Sequence, residues 1–285
     1  MSDYEWLDDN LATPHRLGYV RFRGGRLGSA ATPGMKERYP EIESLTATLR
    51  KRVARLRVAE REGFRNWMML SWVHHDSALE GLVTQVEEVR EALSGANPVD
   101  SGLAPVYREL RVHRQAIDMA VEEAARKKLK LRMDFMRALY SVFIGETVDA
   151  RTNCYRRDIP IHRLYFHDIA PPDRIGYRMQ RLIDWSDSAE FRRHHPISAA
   201  VLLHHRFMEA FPFPSHSGKI GRLLLNMVLL HHGYQPVVVH STDRHRYYES
   251  LRGEPEDLGL IVEEAAENTL RSWIKLCEQR RMLVA

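Results

Sequence analysis

The stretch FPFPSHSGKIGRLLLN, residues 211–226, gathers side chains suited to chemistry on a phosphate. It opens on an aromatic–proline turn and passes through Ser215, His216 and Ser217. It reaches Gly218-Lys219 before an apolar run that contains Arg222. A loop that feeds a helix N-terminus presents free backbone N–H groups and the positive end of the helix dipole, the usual build of an anion site. Gly218 permits close backbone approach, Ser217 brings a hydroxyl, and Lys219 and Arg222 bring charge. His216 carries the side chain best suited to proton transfer near neutral pH. The two cations and the helix end disfavour imidazolium and keep it a free base. A Walker loop is excluded, because the required Gly and Ser/Thr places hold Phe213 and Ile220. The plain alternative is a corner between two helices, with Ser217 capping the second and His216 an exposed bystander.

The surrounding elements are helical. Apolar residues Ile42, Leu45, Leu49, Val53 and Leu56 recur three or four apart, which is helix period. Similar stretches run at about 64–78, 84–94, 104–127, 130–145, 173–186, 196–210, 219–232, 242–252 and 258–280. Asn97-Pro98, Gly102, Pro171-Pro172, Pro196 and Gly233 punctuate them. Residues 156–167 alternate loosely around Pro160 and read as a short β-hairpin of edge type. Residues 1–40, rich in Gly and Pro, read as an irregular N-terminal arm. The expected architecture is all-α: one helical domain over 41–285 with a hairpin.

The wider stretch 195–251 resembles the Fic (Fido) family. That family's motif, His-Pro-Phe-x-(Asp/Glu)-Gly-Asn-(Gly/Lys)-Arg-x-x-Arg, lies in a loop between two helices. Pro212, Phe213, Gly218 and Arg222 match it without a gap. Leu223-Leu224-x-Asn226, Gly233-Tyr234-x-Pro236 and Arg246-Tyr247-Tyr248-x-x-Leu251 match the surroundings. Upstream, residues 75–81 with Glu80-Gly81 resemble the family's inhibitory-helix motif, (Ser/Thr)-x-x-x-Glu-(Gly/Asn), with Asp76 in the Ser/Thr place. The hairpin near 156–167 falls where the family has its target-clamping flap. The resemblance spans about 64–280.

Its implications are a helical Fido bundle, a nucleotide such as ATP as ligand, and a protein target at the flap. In the family the motif Glu pairs with the second Arg and keeps the γ-phosphate from seating; Glu80 and Arg222 hold those places. The chemistry departs at specific positions. The catalytic His is Phe211, and a phenyl ring has no proton to exchange. The Mg²⁺-binding carboxylate is Ser215, a poor ligand for a hard cation. Lys219 replaces an Arg, keeping charge but losing the bidentate fork. The expectation is a divergent protein with a nucleotide- or phosphate-binding loop of Ser217, Gly218, Lys219 and Arg222. Glu80 is inhibitory in it, Phe211 is a pocket wall, no metal is bound, and standard AMP transfer to protein hydroxyls is lost. Two alternatives remain: a nucleotidyl- or phospho-group transferase or lyase with His216 as replacement base, and a non-catalytic interaction scaffold.

Composition sets the remaining bounds. Lys+Arg at 42 and Asp+Glu at 38 leave a net charge of +4. Basic clusters such as Arg126-Lys127-Lys128 sit beside Glu122-Glu123 and read as solvated helix faces, so no nucleic-acid partner is expected. No run of about 18 apolar residues occurs, so no membrane span is expected. The acidic start MSDYEWLDDN lacks the apolar core of a signal peptide, and Cys154 and Cys277 are the only cysteines. Both point to the cytoplasm. Histidine doublets at 74–75, 194–195, 204–205 and 231–232 offer at most one inward ligand each. His75-Asp76 invites comparison with HD-type metal phosphohydrolases, but the further ligands such a fold needs are not identifiable.

Overall fold

A computed structural model describes residues 38–148, 153–160, 167–279 and 283. These residues form eleven α-helices, two 3₁₀ turns and no strand. In order the helices are α1 (Tyr39–Ala54), α2 (Val58–Leu79), α3 (Val86–Leu93), α4 (Ala104–Ala124), α5 (Met133–Ile144) and α6 (Pro172–Ser186). They continue with α7 (Ala189–Arg193), α8 (Pro196–Ala210), α9 (Ser217–His231), α10 (Arg244–Ser250) and α11 (Pro255–Glu278).

Helix α9 is the centre. Every residue from Ser217 to Leu230 is buried, as expected of a helix apolar on all sides. Helices α8 and α4 pack against it, and α11 covers α8 and α1. The α8–α9 approach depends on Gly221. A Cβ there would stand 2.9 Å from His204 Nδ1 and 3.0 Å from a Phe207 ring carbon. The side-chain amide of Asn226 bonds Val237 both ways, at 2.7 and 3.1 Å, and pins the extended 235–239 segment to α9.

The helical reading holds, with displaced ends. Helix α2 begins at Val58, several residues before its apolar pattern, because the Glu60 carboxylate accepts Arg57 N–H at 2.8 Å and caps its first turn. Helix α7 was not expected; its five residues are too few to show a period. Of the arm expected over 1–40, residues 1–37 lie outside the described residues, and Tyr39 and Pro40 already belong to α1.

The expected hairpin at 156–167 lies partly outside the described residues. Residues 156–160 and His167 form no strand, and 161–166 lie outside the described residues. The flanks bond to the end of α8 instead. Arg156 N–H donates to Pro212 O at 2.9 Å, Ala170 N–H to Glu209 O at 2.7 Å, and a His167 ring nitrogen lies 3.0 Å from Met208 O. No described helix is long and apolar enough to cross a membrane.

One core group is poorly matched to its surroundings. Glu263 of α11 is fully buried, and neither carboxylate oxygen has a hydrogen-bond partner among the described residues. Burial pushes its carboxyl from the ordinary 4.5 up to about 7, against a lowering by Arg38. The unfolded chain releases this proton at lower pH than the fold does. Stability from this group is therefore full below the ordinary value and lost as pH rises through about 7. Glu263→Gln should raise the melting temperature by several degrees near pH 8 and change it little near pH 4. Thermal melts across that range check the difference.

Candidate functional site at the α8–α9 loop

The loop from Phe211 to His216 is bracketed by backbone strain. Phe211 (φ 40°) and His216 (φ 60°) are the only non-glycine residues with positive φ among those described. Such a conformation costs roughly 1–3 kcal/mol and persists only where the surroundings over-determine it. Here they do. Phe211 N–H closes the last turn of α8 onto Phe207 O at 2.8 Å, and its carbonyl accepts from Arg156 Nε at 2.7 Å. Arg156 also reaches Asp158 O at 3.1 Å and Ala170 O. Its guanidinium thus caps the carbonyl end of α8, where the helix dipole favours a cation. At the other end, Ser217 Oγ accepts from Phe213 N–H at 2.9 Å and donates to Phe213 O at 3.2 Å. The Phe213 ring stacks on Tyr140, centroids 4.6 Å apart.

These bonds fix where the expected site residues stand. The Phe211 ring is only 2% exposed and lies edge-on to His167, so it is set into the core. Pro214 and Ser215 are exposed. His216 is half-buried and stacks on Phe143, centroids 5.0 Å apart and planes 14° from parallel. Burial and then Lys219 hold its imidazole below the usual range, so it is neutral at pH 7. The Ser217 hydroxyl is engaged in closing the loop.

Both cations are buried and paired. Lys219 is 1% exposed, and its Nζ donates to Glu109 Oε1 of α4 at 2.7 Å. Partial burial works against the Glu109 carboxylate, but Lys219 draws it below the usual range. Arg222, 4% exposed, faces two carboxylates at the end of α2. Its Nε donates to Asp76 Oδ1, and its Nη2 reaches Asp76 Oδ2 at 3.3 Å and Glu80 Oε1 at 2.8 Å. Burial alone would raise Asp76 and lower Arg222; their mutual attraction reverses both shifts.

A second layer holds this pair. One ring nitrogen of His113 lies 3.0 Å from Asp76 Oδ2, and the other lies 3.0 Å from Ser77 Oγ. Tyr247 Oη accepts from Arg222 Nη1 at 3.4 Å and meets His204 Nε2 at 2.8 Å. Burial lowers both imidazoles, His204 to about 3, so both are neutral. Ser77, His113 and Asp76 have the order of a hydrolytic triad, but all three are buried and Asp76 already binds Arg222. Their arrangement orients a guanidinium; it does not present a nucleophile.

Glu80 lies against Gly218 and Arg222. A Cβ at Gly218 would stand 2.3 Å from Glu80 Oε1 and 3.2 Å from Arg222 Nη1. The carboxylate therefore packs on the first turn of α9, where free N–H groups and the dipole favour an anion. Lys219 and Arg222 face three carboxylates in all: Asp76, Glu80 and Glu109.

The donor set does not fit Mg²⁺. Ser215 offers a neutral hydroxyl, and each nearby carboxylate is bonded to a buried cation. No group of His, Cys, Asp and Glu among the described residues is arranged to hold a metal. His75, the other candidate for metal chemistry, stacks on His240 and contacts Ser241.

Sequence reasoning singled out Phe211, His216, Ser217, Gly218, Lys219, Arg222 and Glu80, and the fold brings all but Phe211 together at the start of α9; the Phe211 ring, expected as a pocket wall, is packed beside His167 at the end of α8. The same reasoning missed Glu109, His113, His204 and Arg156. Tyr247 lay in a matching block without an assigned part. No local period links these residues to the loop; only the tertiary fold does.

Residues 130–229 match the sequence profile of the Fic/DOC family. The protein adenylyltransferase Fic of Drosophila willistoni is 24% identical over 224 residues, covering 75% of this chain and 42% of that protein. The Nematostella vectensis protein of the same name is 23% identical over 208 residues, covering 71% and 48%. The chain thus spans less than half the length of these curated relatives. Among solved structures, a Fic domain containing signaling protein from Bacteroides thetaiotaomicron superposes with a TM-score of 0.71 at 23% identity, covering 84% of this chain and 98% of that one. Fic-1 from C. elegans gives 0.69 at 20% identity, covering 86% and 73%. These similarities concern the fold.

Removing Asp76 leaves a buried guanidinium half-paired. Asp76→Ala should cost about 3–5 kcal/mol of stability. Glu80→Gly should cost clearly less, because the Glu80 side chain is the more exposed partner, 14% against 7%. Denaturant titration of the two variants checks the order.

Proposed function

This chain belongs to the Fic/Fido family, and we propose that it is a divergent member. Its α8–α9 loop binds the phosphates of a nucleotide or another phosphate-bearing small molecule, without the standard transfer of AMP to protein hydroxyls. One observation carries this reading: the Glu80 carboxylate rests on Gly218 and Arg222 at the N-terminus of α9. An anion sits there already, supplied by the chain. A phosphate seats by displacing it, gaining the α9 N–H groups and the Arg222 guanidinium.

The side chains at positions 211 and 215 support the loss of standard transfer. In the resembling motif, position 211 supplies the base that deprotonates the target hydroxyl. A buried phenyl ring cannot accept that proton. Position 215 holds a hydroxyl where a carboxylate would bind Mg²⁺. ATP is the nucleotide implied by the relatives named as adenylyltransferases. A protein target approaching residues 156–167 is part of the same proposal.

A second reading is favoured by His216. Its imidazole is neutral, half-buried and held flat on Phe143 inside the motif loop. That is a fixed general base, and a transferase or lyase reaction would use it as one. His216→Ala should then abolish the reaction while leaving ligand affinity within about threefold. The activity would also fall only below the usual imidazole range, since the shift is downward.

Calorimetric titration with ATP, CTP, GTP and small phosphates tests the main reading. Glu80→Gly should tighten triphosphate binding about tenfold and monophosphate binding less. Silence of both proteins toward every ligand would make the chain an interaction scaffold. Transfer of label from ATP and Mg²⁺ to protein would refute the loss of standard transfer.

A further inference from the structure

We propose that Glu109 is a second displaceable carboxylate of this site: it holds Lys219 as Glu80 holds Arg222, and the pair of latches makes the loop select anions with two or more linked phosphates. This rests on the reading of the loop as a phosphate site and concerns what that site admits.

The two partners of the Glu109–Lys219 pair differ in freedom. Lys219 is sunk in α9 at 1% exposure, with Nζ 5.8 Å from the centre of the Phe143 ring. An ammonium so placed needs a negative partner. The Glu109 side chain is 38% exposed, on the surface of α4. Swinging it outward moves a side chain that already meets water. The cation is therefore fixed and its partner is free to leave. Asp76 is the opposite case: at 7% exposure it is tied to Arg222 and His113 together, and it stays.

The site thus has one fixed carboxylate and two that can be exchanged, one for each cation. Lys219 and Arg222 stand three residues apart, neighbouring positions on a helix surface. A single phosphate that displaces Glu80 meets Gly218 and Arg222 but leaves Lys219 on Glu109. A chain of phosphates, from a nucleotide or inorganic, can replace both carboxylates and leave neither cation unpaired.

Titration of the full chain with inorganic tripolyphosphate, ATP and orthophosphate tests this, using Glu109→Gln, Glu80→Gly and the double variant, with thermal melts confirming that each is folded. Glu109→Gln keeps the side-chain size and leaves Lys219 short of a counter-charge. It should tighten tripolyphosphate about tenfold and orthophosphate by less than about threefold. Adding Lys219→Met should erase the gain. Tighter binding of ATP than of tripolyphosphate places the phosphates on a nucleotide; equal binding places the recognition in the phosphate chain alone. If Glu109→Gln lowers the melting temperature and leaves affinity unchanged, the pair is purely structural and the proposal falls. If Glu80→Gly tightens tripolyphosphate and Glu109→Gln does not, the second latch is refuted while the phosphate site stands. Equal gains for orthophosphate and tripolyphosphate refute the selection. If the folded double variant binds none of the three, the phosphate reading fails and takes this proposal with it.

Discussion

A guanidinium buried in the centre of a helical domain is the constraint around which this molecule is organised. Arg222 sits in a helix with no solvent-facing side along most of its length. A charge in that position is tolerable only with close counter-charges and satisfied donors. Asp76 and Glu80 supply the first, and Tyr247 takes a further donor. These partners come from α2 and α10, so the ends of two distant helices are fixed against α9. His113 and Ser77 then hold Asp76, and His204 holds Tyr247. The network links α2, α4, α8, α9 and α10 through one side chain.

The loop is fixed as firmly as the cation. Its two ends are left-handed, Pro212 and both phenylalanines are buried, and Arg156 and Ser217 tie it to neighbouring backbone. Of the loop residues, Pro214 and Ser215 are the exposed ones. The movable parts of the site are therefore the carboxylates opposite the loop. Under the proposed function, ligand entry is a side-chain exchange at Glu80 and Glu109, and the backbone of the loop is a fixed template.

The sequence made some of this legible and hid the rest for identifiable reasons. The α8–α9 pair was visible because apolar residues recur at helix period on both sides of a turn rich in Pro, Ser and Gly. The Glu80–Arg222 pair, 142 residues apart, was reachable only through the resemblance to two family motifs. Asp76 was noted as a departure in a Ser/Thr place; its attachment to Arg222 needed the fold. Glu109 stands on an ordinary charged helix face, and its partner is 110 residues away. Nothing local distinguishes it from a solvated glutamate. The hairpin reading lies partly outside the described residues, and alternation over 156–167 says nothing about where backbone groups find partners. Arg156 turns inward to the carbonyl end of α8, an outcome that burial and the helix dipole decide.

The buried ion pairs also bear on whether this site is a relic. Once an active site is no longer used, stability alone favours replacing buried ion pairs by apolar residues of similar size, which is often neutral or stabilising. Phe211 and Phe213 show that this loop accommodates apolar side chains at full burial. Lys219 is nonetheless an ammonium at 1% exposure, held by a carboxylate that is itself half in water. That arrangement gives little net stability, because the exposed partner is screened and the buried one remains desolvated. Lys219 stands in the first turn of α9 beside Arg222, whose own partners are the buried Asp76 and the mostly buried Glu80; under the proposed function the two cations form a phosphate site held closed by its own acids. Under the proposed function, Phe211 and Ser215 stand where the resembling motif has the groups that act on a substrate. On the same reading, Gly218, Lys219 and Arg222 are the groups that would hold one.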